Sequence, residues 1–377
     1  MWKKVDTVVY YISPDFKFLP TIAIFSFLGA ILKQINLAND KLLYTFNYDM
    51  INEKIKLISD KGCSIILFDS FETESVEDIQ KAIEIFQEEV KCPIVSFITT
   101  KLNKYSKPFT GIWKIIELLY KTKNKYVNKE VSMVIGNKAG ISHEKYHKFY
   151  CSDRSFASNV GLHFSTPDRF FLGTQTEIQW EWNKLCLYKF QLDKILHRAN
   201  NIKHPIILDE INKLPISDKY TIIVTGLPIC GKTTFIQKLK RKWDAEYNKG
   251  TIETNTDNIN IDILEQWVVD SLTKNNSIIV ELNSILLNLT RIIKKSMELK
   301  TPILIVEIKT PLKIQYLLNC LRVQTSKTPD TVLISKYTLD AHNKKCESPL
   351  YNIPCIIRIV YPFVLQPIDE LWYKYSL

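Results

Sequence analysis

The stretch Thr221 to Thr233, TIIVTGLPICGKT, constrains this chain more than any other. A short β-branched run, Tyr220 to Thr225, meets Gly226, and Gly231, Lys232 and Thr233 follow in the order G-x-x-x-x-G-K-T. That spacing is the signature of a phosphate-binding loop. Glycines let the backbone fold around a phosphate chain with its N–H groups pointing inward. Lys232 would reach the outer phosphates, and the Thr233 hydroxyl, with Thr234 beside it, would help hold Mg²⁺. The run before the loop predicts a strand and FIQKLKRKW after it a helix. The chain is therefore expected to bind a nucleoside triphosphate, ATP with Mg²⁺, at a strand-loop-helix unit of an α/β fold.

A length of 377 residues allows two domains or one large one. The formal net charge of +10 points to a polyanionic partner such as nucleic acid. A Lys-, Ile- and Asn-rich composition from an A/T-rich genome explains the same charge, and the two readings stand side by side. The eight cysteines, Cys63, Cys92, Cys151, Cys186, Cys230, Cys320, Cys346 and Cys355, contain no C-x-x-C pair. That pattern favours reduced thiols in an intracellular protein. No secretory signal is read at the start, and an intracellular site is expected (nucleus, cytoplasm or a viral replication site). The apolar run Phe18 to Leu32 is shorter than the roughly 20 residues a membrane span needs. It contains Pro20 and Gly29 and reads as a buried strand entering a turn.

The first half alternates in period. Thr21–Phe27, Ser64–Phe68, Pro93–Ile98 and Ser132–Ile135 read as strands, and Met50–Lys61, Val76–Val90 and Gly111–Lys121 as helices. This β-α-β rhythm predicts a mostly parallel sheet with helices on both faces. From about Gly173 to Asp218 the rhythm stops, as an interdomain connection with some helix would require. It resumes at Tyr220, with strands expected at Ser277–Leu282, Ile303–Ile308 and Cys355–Tyr361. The expected domains are 1–175 and 218–377, joined by a linker at 176–217.

Two segments of the first half carry a family resemblance. KFYCSDRSFASNVGLHFSTPDRFFLG (148–173) resembles the segment that closes the phosphatase domain of the bifunctional polynucleotide kinase 3′-phosphatases, and KLNKYSKPFTGIW (101–113) resembles that family's lysine-bearing motif. The resemblance implies a haloacid-dehalogenase-like domain followed by a P-loop kinase domain. Such phosphatases use F-D-x-D-G-T, in which one aspartate attacks phosphorus and the other moves protons. The matching residues here are FSFLGA, Phe25 to Ala30, with Ser26 at the nucleophile position and Leu28 at the acid/base position. Leucine carries no proton, and serine lacks the carboxylate oxygens a Mg²⁺ ion prefers.

The next motif, F-T-N-Q in the family, reads Phe68, Asp69, Ser70, Phe71, and the metal-binding G-D-A-A-G reads Gly136, Asn137, Lys138, Ala139, Gly140. Lys107 and Asp153 remain, with Asp153 beside Arg154 readable as a paired core charge. Three losses imply a domain that keeps its fold without 3′-phosphatase chemistry. One carboxylate, Asp69, cannot replace both missing roles. The apolar run from Phe25 to Leu32 is expected to fill the former metal site.

The same resemblance assigns roles in the second half. A base for a 5′-hydroxyl would be Asp257 in ETNTDNI, where Thr256 replaces the family's arginine. By itself Asp257 reads as a turn or helix N-cap residue, and only the resemblance favours the base. Glu281, ending the strand Ser277–Leu282 and its continuation Asn283–Ser284, would be the acidic residue near the metal. Arg291 lies one position from a family arginine and reads either as a phosphate contact or as a solvated helix residue. Asn319, Cys320, Leu321 and Arg322 align with a lid motif of paired arginines, leaving Arg322 alone to stabilise transferring charge. Losing one such contact costs on the order of 10²- to 10³-fold.

Three functions compete. The first is ATP-dependent phosphorylation of 5′-OH nucleic-acid ends, with DNA ahead of RNA, with DNA repair or replication proteins as partners, and with the dead phosphatase domain kept as scaffold. The second is a non-catalytic nucleotide- and nucleic-acid-binding pseudoenzyme. The third is a kinase of small nucleosides, which a basic two-domain chain does not need. No membrane partner is expected.

Overall fold

The computed structural model describes residues 1–36, 42–71, 75–141, 151–174, 180, 217–246, 251–255, 260–283, 286–310, 312–345 and 356–360. Two compact units divide the chain. One takes Met1–Leu187, Cys320–Leu333 and Asp369–Leu377; the other takes Tyr188–Asn319 and Ile334–Ile368.

The first unit runs β1 (Lys3–Val5), β2 (Val8–Ile12), β3 (Thr21–Phe25), β4 (Leu32–Asn36), β5 (Leu42–Phe46), α1 (Ile51–Asp60), β6 (Cys63–Ser70), α2 (Val76–Val90), β7 (Ile94–Thr99), α3 (Gly111–Thr122), β8 (Met133–Ile135), α4 (Ser152–Val160), β9 (His163–Ser165) and α5 (Pro167–Leu172). Its main sheet has the order β1-β2-β7-β6-β3-β8-β9. From β7 to β9 the strands are parallel, while β2 joins β7 antiparallel. Central strands β3 and β6 are near-continuous apolar runs, because helices cover both of their faces.

The two-residue period of a strand splits that apolar run between two cores. Ala23 and Phe25 join Ile51 and Ile55 of α1 and Ile79, Ile83 and Phe86 of α2 on one face. Ile22 and Ile24 join Ile112, Trp113 and Ile116 of α3 and Phe156 and Val160 of α4 on the other. Helix α2 starts where sequence predicts because Ser75 Oγ accepts the Asp78 amide and Glu77 and Asp78 fill its first turn.

Strand β3 stops earlier than Phe27. Its last ladder bond hands the Ser26 amide to Ile135 O, 2.9 Å away. Phe27–Ile31 then forms a tight turn, with Gly29 at φ +89°, that sends the chain into the hairpin β4–β5. The expected connection at 173–218 lies almost wholly outside the described residues. The N-terminal hairpin β1–β2 carries no strong alternation in sequence; it is anchored by its pairing with β7.

The second unit runs β10 (Thr221–Gly226), α6 (Lys232–Glu246), β11 (Ile252–Asn255), α7 (Ile261–Thr273), β12 (Ser277–Asn283), α8 (Leu286–Glu298), β13 (Ile303–Lys309), α9 (Leu312–Thr325), α10 (Lys336–Lys345) and β14 (Ile356–Val360). The strands lie in the order β11-β12-β10-β13-β14, all parallel. Here β10 is entirely buried between β12 and β13; the chain leaves it for β11 on the β12 side and, after β12, crosses over it to β13 on the other. Open α/β sheets bind ligands at the carboxyl end of such a switch point. The first unit has its own switch at β3, flanked by β6 and β8.

The end of α9 and the residues after it, Cys320–Leu333, fold into the first unit as a strap over the loop 101–110. Leu333 N donates to Leu102 O, Asn103 Nδ2 to Pro329 O and Lys104 Nζ to Ser326 O, while Lys101 pairs with Asp330 at 2.9 Å. Gln324 is bonded to both the amide and the hydroxyl of Thr110. Phe109, Cys320, Val323 and Leu333 close a small apolar core beneath the strap. No described helix is long and apolar enough to cross a membrane.

Candidate functional site

The loop after β10 has the backbone its glycines allow. Gly226 sits at φ +152° and Gly231 at φ +95°. A Cβ on Gly226 would lie 2.6 Å from Ile308 O and 2.7 Å from Cys230 Sγ, so no other residue fits there without displacement. Ile229, a β-branched residue, is held at φ +62°, a costly conformation of the kind found at ligand-binding turns. Thr310 Oγ1 donates to Cys230 O at 3.0 Å and props the loop from the end of β13. Sequence reasoning missed this prop, since nothing in the spacing of Thr310 marks it. Helix α6 begins at Lys232, so the amide-rich, positive end of its dipole opens at the loop.

Lys232 is buried, and its Nζ donates to the carbonyls of Gly226 (3.1 Å) and Leu227 (2.9 Å). Glu281, near the end of β12, holds the Thr233 hydroxyl at 2.7 Å through Oε2 and stands 3.8 Å from Lys232 Nζ. A hydroxyl and a carboxylate at a switch point form a hard-oxygen donor set that fits Mg²⁺. Thr233 and Glu281 are the residues that would hold it. Burial pushes the Cys230 thiol up to about 11, although nearby Lys232 pulls the other way. The thiol is therefore neutral at physiological pH. Thr234 is exposed on the first turn of α6.

Other expected kinase residues fall elsewhere. Strand β11 ends at Asn255, and Thr256 and Asp257 lie outside the described residues. Arg291 is not left facing solvent for a phosphate. Its guanidinium bridges Glu265 at 2.7 Å and Asp262 at 2.5 Å between α7 and α8, and those bonds raise its pKa further. Arg322 belongs to the strap of the first unit, where Nη2 donates to Val332 O at 2.6 Å. Asn319 bonds both the carbonyl and the amide of Ile334.

The carboxyl edge of β3 brings together the residues that mark the phosphatase resemblance. Lys107 Nζ donates to Asp153 Oδ1 at 2.7 Å and to Ser26 Oγ at 2.5 Å, and Ser26 Oγ in turn donates to the same Asp153 oxygen at 2.8 Å. Asp153 Oδ2 accepts the Lys138 amide. The Lys107 and Asp153 side chains are 2% and 0% exposed. Burial alone would raise the Asp153 pKa, but the Lys107 and Lys138 charges and their hydrogen bonds hold it below the usual carboxylate range.

Asp69 stands 3.7 Å from Lys107 and is occupied by the amides of Leu28 and Ser70. Ser70 Oγ accepts from Thr99 and from the Lys107 amide. The pairing of Asp153 with Arg154 expected from sequence is replaced by Asp153 with Lys107. Arg154 turns away to Ala139 O and lies over the Phe164 and Trp180 rings at 4.5 and 4.0 Å. Sequence adjacency on α4 sends the two side chains in different directions.

The apolar filling expected around Ser26 is also only part of the picture. Phe27 and Ala30 are buried, but Leu28 is half-buried and the centre is an ionic cluster. Asn137 is exposed and lies across Gly29, where a Cβ would fall 2.0 Å from its Nδ2. Among the described residues no group of three or more His, Cys, Asp or Glu side chains could hold a metal.

The polynucleotide kinase 3 phosphatase family model matches residues 22–171. This segment is similar to that family. A bifunctional polynucleotide phosphatase/kinase of Schizosaccharomyces pombe is 21% identical over 250 residues, covering 65% of this chain and 55% of that protein. An uncharacterized 20.8 kDa protein of Autographa californica nuclear polyhedrosis virus is 30% identical over 135 residues, covering 34% of this chain and 65% of that protein. The chain spans about half the length of the fission-yeast relative. Among solved structures, a putative kinase from Chloroflexus aurantiacus aligns at 16% identity and a TM-score of 0.31, covering 41% of this chain and 93% of that one.

Proposed function

We propose that this protein transfers the γ-phosphoryl group of ATP to 5′-hydroxyl ends of nucleic acid, and that its first unit retains the phosphatase fold without 3′-phosphatase chemistry. The observation that carries the kinase half is the cluster of Lys232, Thr233 and Glu281 at the carboxyl end of β10. Lys232 is held by two neutral carbonyls, so its positive charge is available to the β- and γ-phosphates. The amides of the glycine loop and the start of α6 would orient the phosphate chain in line with the acceptor. Mg²⁺ would neutralise phosphate charge when bound. Asp257 is the proposed acceptor of the 5′-hydroxyl proton.

The reading of a retired phosphatase rests on Lys107 and Asp153. In place of a nucleophilic carboxylate the position carries Ser26, whose hydroxyl is hydrogen-bonded to both. Ser26 offers a hydroxyl tied to Asp153 and Lys107 where the resemblance requires a free carboxylate to attack phosphorus. The strap over loop 101–110 fixes the Lys107 motif from outside.

The test is transfer of labelled phosphate from ATP to 5′-OH oligonucleotides of DNA and RNA, with Lys232→Ala and Asp257→Ala beside wild type. Label on the oligonucleotide with wild type and on neither variant supports the kinase. ATP binding with no transfer to any end selects the non-catalytic binding protein instead.

A further inference from the structure

We infer that the far end of α3 and the residues after it, from Leu118 to Tyr126, form a docking surface for single-stranded polynucleotide, at the amino end of the sheet and so opposite Ser26 and Lys107. This rests on the polynucleotide reading above and adds a place where the strand is held. Helix α3 starts at Gly111, directly after the Lys107 loop, and ends at Thr122. Its far end sits where β3 and β8 begin, because the Tyr120 and Phe18 rings are 5.1 Å apart and Asn128 N donates to Pro20 O. The surface is therefore separated from the closed phosphatase cluster by the length of the helix.

The lysines of α3 and of the segments flanking it divide into two sets. Near the Lys107 loop, Lys101 is paired with Asp330, Lys104 donates to Ser326 O and Lys107 is paired with Asp153. Lys129 is paired with Glu117 and lies over the Trp113 ring. By contrast Lys114, Lys121, Lys123 and Lys125 are exposed and form no ion pair among the described residues. Lysines near a helix end often serve its last carbonyls. Here Tyr120 O already accepts the amides of Lys123 and Lys125, and Lys121 O accepts that of Asn124. The ammonium groups are thus not consumed by capping.

Two large side chains lie among these charges, Leu118 at 61% and Tyr126 at 73% exposure. A phosphate backbone supplies the complementary charge. An unpaired base supplies a π-face for Tyr126, the combination that single-strand binding surfaces use. An anionic lipid surface would satisfy the lysines but would leave the ring without a stacking partner.

The test uses the full chain and a labelled oligothymidylate of about 20 nucleotides, titrated between about 50 and 200 mM salt. Wild type is compared with K121E/K123E/K125E, with Y126A, and with K3E/K4E/K274E, an equal charge change at exposed sites elsewhere. The first variant is expected to lose at least about tenfold in affinity, and its log–log salt slope to fall by about 2, at roughly 0.7 per lysine. Y126A is expected to lose about fivefold or more at unchanged slope. The control variant does neither.

Unchanged binding by K121E/K123E/K125E, or an equal loss in the control, overturns the surface while wild-type label transfer leaves the kinase standing. Binding to anionic phospholipid vesicles that depends on these lysines, with oligonucleotide binding unaffected, overturns it in favour of a membrane. If wild type binds no oligonucleotide and transfers no label, the polynucleotide reading falls with it.

Discussion

The carboxyl edges of β3 and β10 differ in what each does with one buried lysine. Lys107 donates to a fully buried carboxylate at 2.7 Å, and the surrounding serine and aspartate complete its shell. Lys232 donates to two carbonyls, with its nearest carboxylate at 3.8 Å. Both edges are switch points of parallel sheets, the place where ligands enter such folds. The difference teaches that a switch point closes when its cation acquires a fixed anion of its own. A lysine resting on carbonyls keeps its charge for an arriving phosphate, whereas one neutralised by aspartate has already bound its anion.

The largest expected effect tests the open edge. Lys232→Ala should reduce phosphoryl transfer by at least about 10²-fold, measured as label incorporated into 5′-OH ends. Transfer that persists at the wild-type rate would erase the contrast between the two lysines. The closed edge predicts the reverse kind of result: Lys107→Met should leave transfer chemistry alone but lower stability by about 3–5 kcal/mol, because Asp153 becomes a buried unpaired charge. Urea unfolding would show it, and Lys107→Met combined with Asp153→Leu should cost less than the single change.

Gly226→Ala should lower nucleotide affinity and destabilise the second unit by about 1–3 kcal/mol, since its Cβ would collide with Ile308 O and Cys230 Sγ. Isothermal titration with ATP and thermal unfolding separate the two effects. The smallest effect is with pH. The Asp153 carboxyl is held below its ordinary range, so the unfolded chain takes up that proton first. Its contribution is present above about pH 4 and is lost as pH falls through the lower folded value. Asp153→Asn should flatten the acid limb of the stability curve, and an unchanged limb would mean the pair contributes nothing.

Much of the fold was readable from period and spacing. Val76–Val90 is the helix its apolar stripe predicts, and the run before Gly226 is the central strand of its sheet. The phosphate loop was legible because glycine spacing is a local property. Glu281 was found as the end of a strand, and its contact with Thr233 follows from β12 lying beside β10. Less legible were properties set by distant residues. Asp153 chose Lys107 over its neighbour Arg154, since position on α4 governs direction more than adjacency does. Arg291 read equally as a phosphate contact or a solvated helix residue, and it forms an ion-pair bridge between two helices. The strap of 320–333 has no signature in sequence, because its contacts are to carbonyls and to a loop more than 200 residues earlier.

That strap also orders events during synthesis. The first unit is not complete when its own strands and helices have left the ribosome. Phe109 and Leu102 wait for Val323 and Leu333 before their apolar surface is covered. At about 5–20 residues per second, the roughly 220 residues that separate loop from strap leave that patch open for tens of seconds, a window in which a chaperone, or another nascent chain, can reach it.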